Sequence, residues 1–189
     1  MEDCYSALKW LNDNANTLKI DKTRIGLKGE SAGGGLAAAL ALLVRDRGEI
    51  KLAFQHLIYP MIDDRVCVTD NPHPFAGEFI WTLRDNLFGW SALLDSPPGA
   101  EEVSPYAAAA RAPDLSGLPP TFISVGALDL FMEENIEYAR RLSRAGVPME
   151  LHVYPGAFHG FDLVPNAQVT IAAQRASKDA LQGAMSGCG

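Results

Sequence analysis

The sequence predicts an α/β fold of about four mostly parallel strands flanked by helices. Three observations carry that expectation. Short apolar runs rich in β-branched residues alternate with stretches of helical periodicity along the 189 residues, the pattern of parallel strands joined by right-handed crossovers. A Gly-x-Ser-x-Gly, Gly29-Glu30-Ser31-Ala32-Gly33, stands between one such run and a helical stretch. Two residues of acid–base type, Asp129 and His159, follow directly on later apolar runs, at the edge where an open parallel sheet collects its chemistry.

The elements follow in order. Leu8, Leu11, Ala15 and Leu18 fall near helical spacing, so one helix is expected over residues 3–18. Strands are expected over residues 24–28, 52–59, 121–125 and 150–154, with an alanine- and leucine-rich helix over 36–47 between the first two. Residues 62–118 form a long irregular connection, cut by Pro72, Pro74, Pro97, Pro98, Pro105 and Pro113. Its middle is aromatic and amphipathic, through Phe75, Phe79, Trp81, Leu83, Leu87, Phe88 and Trp90. That stripe either buries against the sheet or lines a pocket, and a cap does both. A helix begins near Met132 and is stopped by Gly146-Val147-Pro148; the last helix covers 166–182, and the tail 186–189 is expected to fray. The whole, 1–189, reads as one domain.

A Gly-x-Ser-x-Gly at a strand-to-helix junction is a nucleophile elbow. The turn is tight, and glycine at Gly29 and Gly33 is expected to relieve collisions two residues either side of the serine. Ser31 Oγ is lifted above the strand, and the free N–H groups of the following helix face the place where an oxyanion would form.

An elbow serine needs a base and a group to orient that base. In α/β-hydrolase order the acid and then the histidine follow the serine. Asp129 comes just after the run 121–126, where capping of the next helix is the bland alternative. His159 lies in a loop flanked by Gly156, Gly160, Phe158 and Phe161, which packs the loop while freeing the ring. His56 and His152 read as strand residues, and His73 sits in a proline-rich loop.

These residues bring in a family. Gly29-Glu30-Ser31-Ala32-Gly33-Gly34, Leu57-Ile58-Tyr59-Pro60, Val103-Ser104-Pro105-Tyr106-Ala107, Val125-Gly126-Ala127-Leu128-Asp129, Tyr138-Ala139-Arg140-Arg141-Leu142 and Tyr154-Pro155-Gly156-Ala157-Phe158-His159-Gly160-Phe161 together resemble the bacterial hormone-sensitive-lipase family of esterases. The resemblance runs from about Asp3 to Asp162. It implies an α/β-hydrolase fold and hydrolysis of short- to medium-chain carboxylic esters without a cofactor or metal. By that resemblance Ser31 matches the nucleophile, Asp129 the acid, His159 the base, and Ala32 the residue whose backbone N–H serves the oxyanion hole. The connection 62–118 matches part of a cap; Phe79, Trp81 and Phe88 within it, and Phe161 beyond it, are candidate pocket residues. Two departures stand out. Glu30 replaces the aspartate most members carry before the serine. The family's His-Gly-Gly-Gly oxyanion loop, well upstream of the serine, has no match: the only His-Gly pair is His159-Gly160, and the only triple glycine is Gly33 to Gly35.

The chain therefore reads as the C-terminal part of such an esterase, or else as a small complete domain that starts with a helix. A catalytically weak remnant serving as a binding module is the competing function. The net charge of −7 argues against a nucleic-acid surface. No run approaches the roughly 18 apolar residues of a membrane span. Cys4, Cys67 and Cys188 are widely spaced and odd in number, which points to free thiols in a reducing cytoplasm. The expected partners are a small-molecule ester and a second copy of the chain, because the nucleophile strand would stand at an open sheet edge.

Overall fold

The structure, a computed structural model, describes residues 1–186; the expectations for the tail beyond Ser186 and for Cys188 lie outside the described residues. Four strands form one sheet in sequential order, β1 (Leu27–Glu30), β2 (Gln55–Ile58), β3 (Thr121–Gly126) and β4 (Met149–Tyr154). Every pairing is parallel, with Leu57 beside Ile123 and Ser124 beside His152. Among the described residues the α-helices are α1 (Glu2–Asp13), α2 (Ala15–Leu18), α3 (Ala32–Arg47), α4 (Leu83–Leu93), α5 (Met132–Arg144) and α6 (Gln168–Ser186). The fold is thus a partial α/β-hydrolase sheet, as the sequence predicts, and wholly rather than mostly parallel.

Helices cover both faces, which a parallel sheet requires. On one face the buried side chains of α3, from Ala37 to Val44, join Tyr5 and Leu8 of α1, Tyr138 and Leu142 of α5, and Leu57 and Ile123 of the sheet. Alanine dominates α3 because the helix is buried nearly all round and must lie close to the strands. On the opposite face Ile58, Phe122 and Tyr154 pack with Phe161 and Ala173 beneath α6.

Several expected boundaries move, three of them for a plain local reason. The long first helix breaks at Asn14, whose side chain donates to the Trp10 carbonyl at 2.9 Å and closes α1. The first strand starts three residues late, because Asp21 caps a 3₁₀ turn at Lys22–Arg24 by accepting from Thr23 N–H at 2.9 Å. The second strand stops at Ile58, because Tyr59 turns to φ 34° ahead of Pro60.

The connection after β2 is more ordered than its prolines suggest. Asp64 is fully buried and accepts both Arg111 Nε and Nη2 at 2.8 Å and Gly99 N–H at 2.7 Å, tying three points of the segment together. Thr82 and Asp85 form a capping box that starts α4. Of the aromatic stripe, Trp90 buries with Met61, Cys67 and Phe131, whereas Phe75, Phe79 and Phe88 are exposed.

Candidate active site

Ser31 sits between β1 and α3 at φ 53°, ψ −124°, a conformation that non-glycine residues adopt only where the surroundings impose it. Three hydrogen bonds impose it here. Ser31 N–H donates to the Ile58 carbonyl at 3.0 Å, and the Ser31 carbonyl accepts from Gly35 N–H and Met61 N–H, both at 3.0 Å. A Cβ on Gly29 would collide with the Gly33 carbonyl, so glycine there is obligatory. The expectation for Gly33 is corrected: a Cβ on it would meet no atom within 4 Å. The crowding passes instead to Gly34, against Pro60, and Gly35, against the Met61 carbonyl, where the loop after β2 lies across the elbow.

His159 reaches this serine from the loop after β4. Its Nε2 lies 2.9 Å from Ser31 Oγ, and its Nδ1 lies 2.9 Å from Asp129 Oδ2. Asp129 is fully buried just past β3. Its other oxygen accepts Phe131 N–H at 2.9 Å, so the carboxylate ties down the start of α5 and faces the imidazole at once. A carboxylate on Nδ1 selects the tautomer with the proton there and leaves the Nε2 lone pair for the serine hydroxyl. The ring is walled by Tyr59 at 4.8 Å, Phe131 at 5.1 Å and Trp81 at 6.3 Å between centroids.

Ser31 makes no side-chain cap bond to α3. The N–H of Ala32, first residue of that helix, therefore belongs to the orphan donors of the first turn, and the helix dipole favours negative charge beside it. The arrangement has the parts for nucleophilic attack on a carbonyl: a hydroxyl, a base in contact with it, an acid holding the base, and a donor at the helix end. No group of three or more His, Cys, Asp or Glu side chains suited to a metal occurs among the described residues.

The pocket candidates separate. Trp81 adjoins His159, and Phe79 packs at 5.7 Å from Phe158 beside it. Phe88 is 76% exposed on α4. Phe161 is 4% exposed in the core under α6, and the cleft it borders, between β1 and α6, does not include Ser31; it is a packing residue. Glu30 extends from the edge strand and pairs with Lys28 at 3.0 Å.

Several residues that position the site were not anticipated from the sequence. Glu134 and Asn135, on the first turns of α5, hold the loop after β2. Glu134 accepts Ile62 N–H at 2.7 Å, and Asn135 donates to the Pro60 carbonyl at 2.8 Å. Burial raises the Glu134 pKa well above the usual carboxylate value, against the lowering effect of the Ile62 and Asp63 N–H bonds it accepts. Tyr59 is the second unforeseen group. Its presence in Leu57-Ile58-Tyr59-Pro60 was the available signal, but its turn towards His159 depends on a backbone angle that sequence does not announce.

Ser31, His159 and Asp129 meet at the carboxyl edge of a parallel sheet, the edge where an α/β hydrolase fold gathers its functional side chains, and comparison with known proteins agrees on that fold. A family model described as the alpha/beta hydrolase fold matches residues 1–163. The chain is 34% identical over 166 residues to carboxylesterase NlhH of Mycobacterium tuberculosis, covering 85% of this chain and 50% of that protein. It is 27% identical over 161 residues to ethyl acetate hydrolase of Pseudomonas putida, again covering 85% of the chain and 50% of the relative. Among solved structures, a bacterial heroin esterase superposes with a TM-score of 0.85 at 42% identity, covering 98% of this chain and 58% of that one. The chain belongs to the alpha/beta hydrolase family and, within it, to the hormone-sensitive-lipase group of esterases. It spans about half the length of the curated relatives it matches.

Proposed function

We propose that this protein hydrolyses short- to medium-chain carboxylic esters through an acyl-enzyme on Ser31. The observation that carries the reading is the continuous contact Ser31 Oγ–His159–Asp129, with 2.9 Å at each step. His159 Nε2 takes the hydroxyl proton as Ser31 Oγ bonds to the ester carbonyl carbon. The resulting oxyanion turns towards Ala32 N–H. His159 returns the proton to the leaving alkoxide, and the alcohol departs. Water then attacks the acyl carbon and gives a proton to Nε2; collapse releases the acid and restores the Ser31 hydroxyl. No cofactor enters these steps.

A short acyl preference follows from the aromatic approach formed by Phe79, Phe158 and Trp81, with residues 62–118 acting as a cap. The relative named for ethyl acetate hydrolysis supports the same range. Faster turnover of long-chain triglyceride than of butyryl ester would contradict it. The reading also takes in a homo-oligomer that covers the open edge of β1, where strand pairing is available to a second copy. A single monomeric species at micromolar concentration in sedimentation would remove that part. The two described cysteines are free, in keeping with a reducing cytoplasm.

The competing reading is a catalytically weak remnant that binds rather than turns over. A burst assay with a chromogenic butyryl ester decides between them. The esterase gives a burst of one equivalent followed by steady turnover; a remnant gives neither.

A further inference from the structure

Tyr59 holds a backbone angle that its residue type avoids. Its φ is 34°, and such a conformation persists only where the surroundings over-determine it. On the main chain, Tyr59 N–H donates to the Ser124 carbonyl at 2.6 Å, and the carbonyl of the next residue, Pro60, is held by Asn135. The turn aims the phenol at the loop that carries His159. The ring meets the imidazole edge-on, at 4.8 Å and 65°, and meets Phe161 at 6.3 Å. The hydroxyl donates to Asp162 Oδ1 at 2.8 Å. Tyr59 is 5% exposed.

That loop needs outside support. It contains two residues in the left-handed region, Gly156 at φ 71° and Gly160 at φ 68°, and glycine there brings no side chain to anchor the turn. Asp162 lies beyond Gly160, on the 3₁₀ turn Phe161–Leu163. Tyr59 thus grips the loop on both sides of a glycine, by its ring at His159 and by its hydroxyl at Asp162. The bonds from Asp129 and Ser31 meet the imidazole from roughly opposite sides. They leave rotation about the line between them to packing, and the Tyr59 ring supplies one wall of that packing.

We propose that Tyr59 and Asp162 form a positioning pair that sets the plane and height of the His159 ring. This inference rests on the reading of Ser31, His159 and Asp129 as the reacting triad. Tyr59 is not itself a proton donor to substrate, because its hydroxyl is directed to Asp162. The pair acts through His159.

The test uses Tyr59→Phe, Asp162→Ala, Asp162→Asn and the double variant Y59F/D162A, each checked for its melting transition. Two readouts are taken: kcat and KM for a butyryl ester, and the tautomer and line width of the His159 ring in a long-range ¹H–¹⁵N spectrum. Y59F removes one oxygen and keeps the ring, so it carries the test even where D162A fails to fold. Y59F and D162A should each lower kcat about tenfold with KM nearly unchanged, as expected for loss of one orienting hydrogen bond. The double variant should be no worse than either single one, because both remove the same bond. D162N keeps an acceptor and should keep most of the rate. The His159 signal should broaden in Y59F and D162A and stay sharp in D162N. A Y59F protein with wild-type kcat and an unchanged His159 signal would overturn the proposal. So would a D162N protein as impaired as D162A, since charge rather than the hydrogen bond would then be at work. If the wild-type protein hydrolyses no ester, the esterase reading is what fails, and the His159 spectrum alone decides on the pair.

Discussion

A serine hydroxyl meets a histidine Nε2 at two places among the described residues. Ser31 lies 2.9 Å from His159, and Ser177 lies 2.8 Å from His56. By distance the two contacts are equivalent, and everything around them differs. Ser31 stands on a strained elbow at the head of α3 with the Ala32 N–H free beside it, whereas Ser177 lies within α6, where backbone N–H groups are engaged by the helix. His159 is held by Asp129. His56 stacks flat on Phe122 at 4.2 Å, and no carboxylate bonds its ring among the described residues. Burial, with help from Lys28, pulls the His56 pKa down to about 4, which makes it a poor base. A Ser–His pair becomes a nucleophile only when the base is oriented and its charged form is stabilised; the α6 pair has neither feature and serves packing.

The largest effects should separate these pairs. Ser31→Ala and His159→Ala should each lower hydrolysis of a butyryl ester by roughly 10⁴-fold or more, and Asp129→Asn by a similar order. Their losses should not add, because the three act as a unit. Ser177→Ala should leave the rate within about twofold, as a surface or packing change away from the chemistry does. A large rate loss in Ser177→Ala with an unchanged melting transition would break the comparison.

Two glycines of the elbow give the next contrast. Gly29→Ala forces a Cβ into the Gly33 carbonyl and should cost about 2–4 kcal/mol in urea unfolding, in the range of strain at an over-determined backbone. Gly33→Ala meets open space and should be neutral or stabilising by up to about 1 kcal/mol through helix propensity. Equal effects at the two positions would contradict the geometry of the turn.

His56 supplies the most selective effect. Its folded-state pKa, about 4, lies below the ordinary 6.5, so the unfolded chain binds a proton first as the pH falls. The stability this burial preserves is intact above pH 6.5 and is lost between there and pH 4. Linkage puts the loss from pH 7 to pH 5 at about 2 kcal/mol. Urea unfolding at both values should show it, and His56→Leu should reduce the difference between them by that amount.

Much of this was legible in the sequence. The run from Thr121 to Gly126 and the stop at Gly146-Val147-Pro148 located β3 and the end of α5, because composition and turn chemistry agree there. Ser31, Asp129 and His159 can be placed at one sheet edge from their positions after apolar runs, although the 2.9 Å contacts are set by long-range folding. Illegible features were those set by long-range packing. The demand for glycine at Gly34 and Gly35 comes from Pro60 and Met61, distant in sequence. Phe161, a candidate pocket residue, is sent by the turn after Gly160 into the core under α6. The Asp21 cap that delays β1 rests on Asp21 accepting from Thr23 N–H, a local bond that hydrophobic patterning does not register.

The central claim, that Ser31 alone among the serines is an activated nucleophile, is tested most directly by labelling with a fluorophosphonate and mapping the adduct by peptide mass spectrometry. The account predicts one equivalent of adduct on the peptide containing Ser31, none on that containing Ser177, and loss of labelling in His159→Ala. Absence of adduct on Ser31, or labelling of Ser31 that persists undiminished without His159, would contradict it.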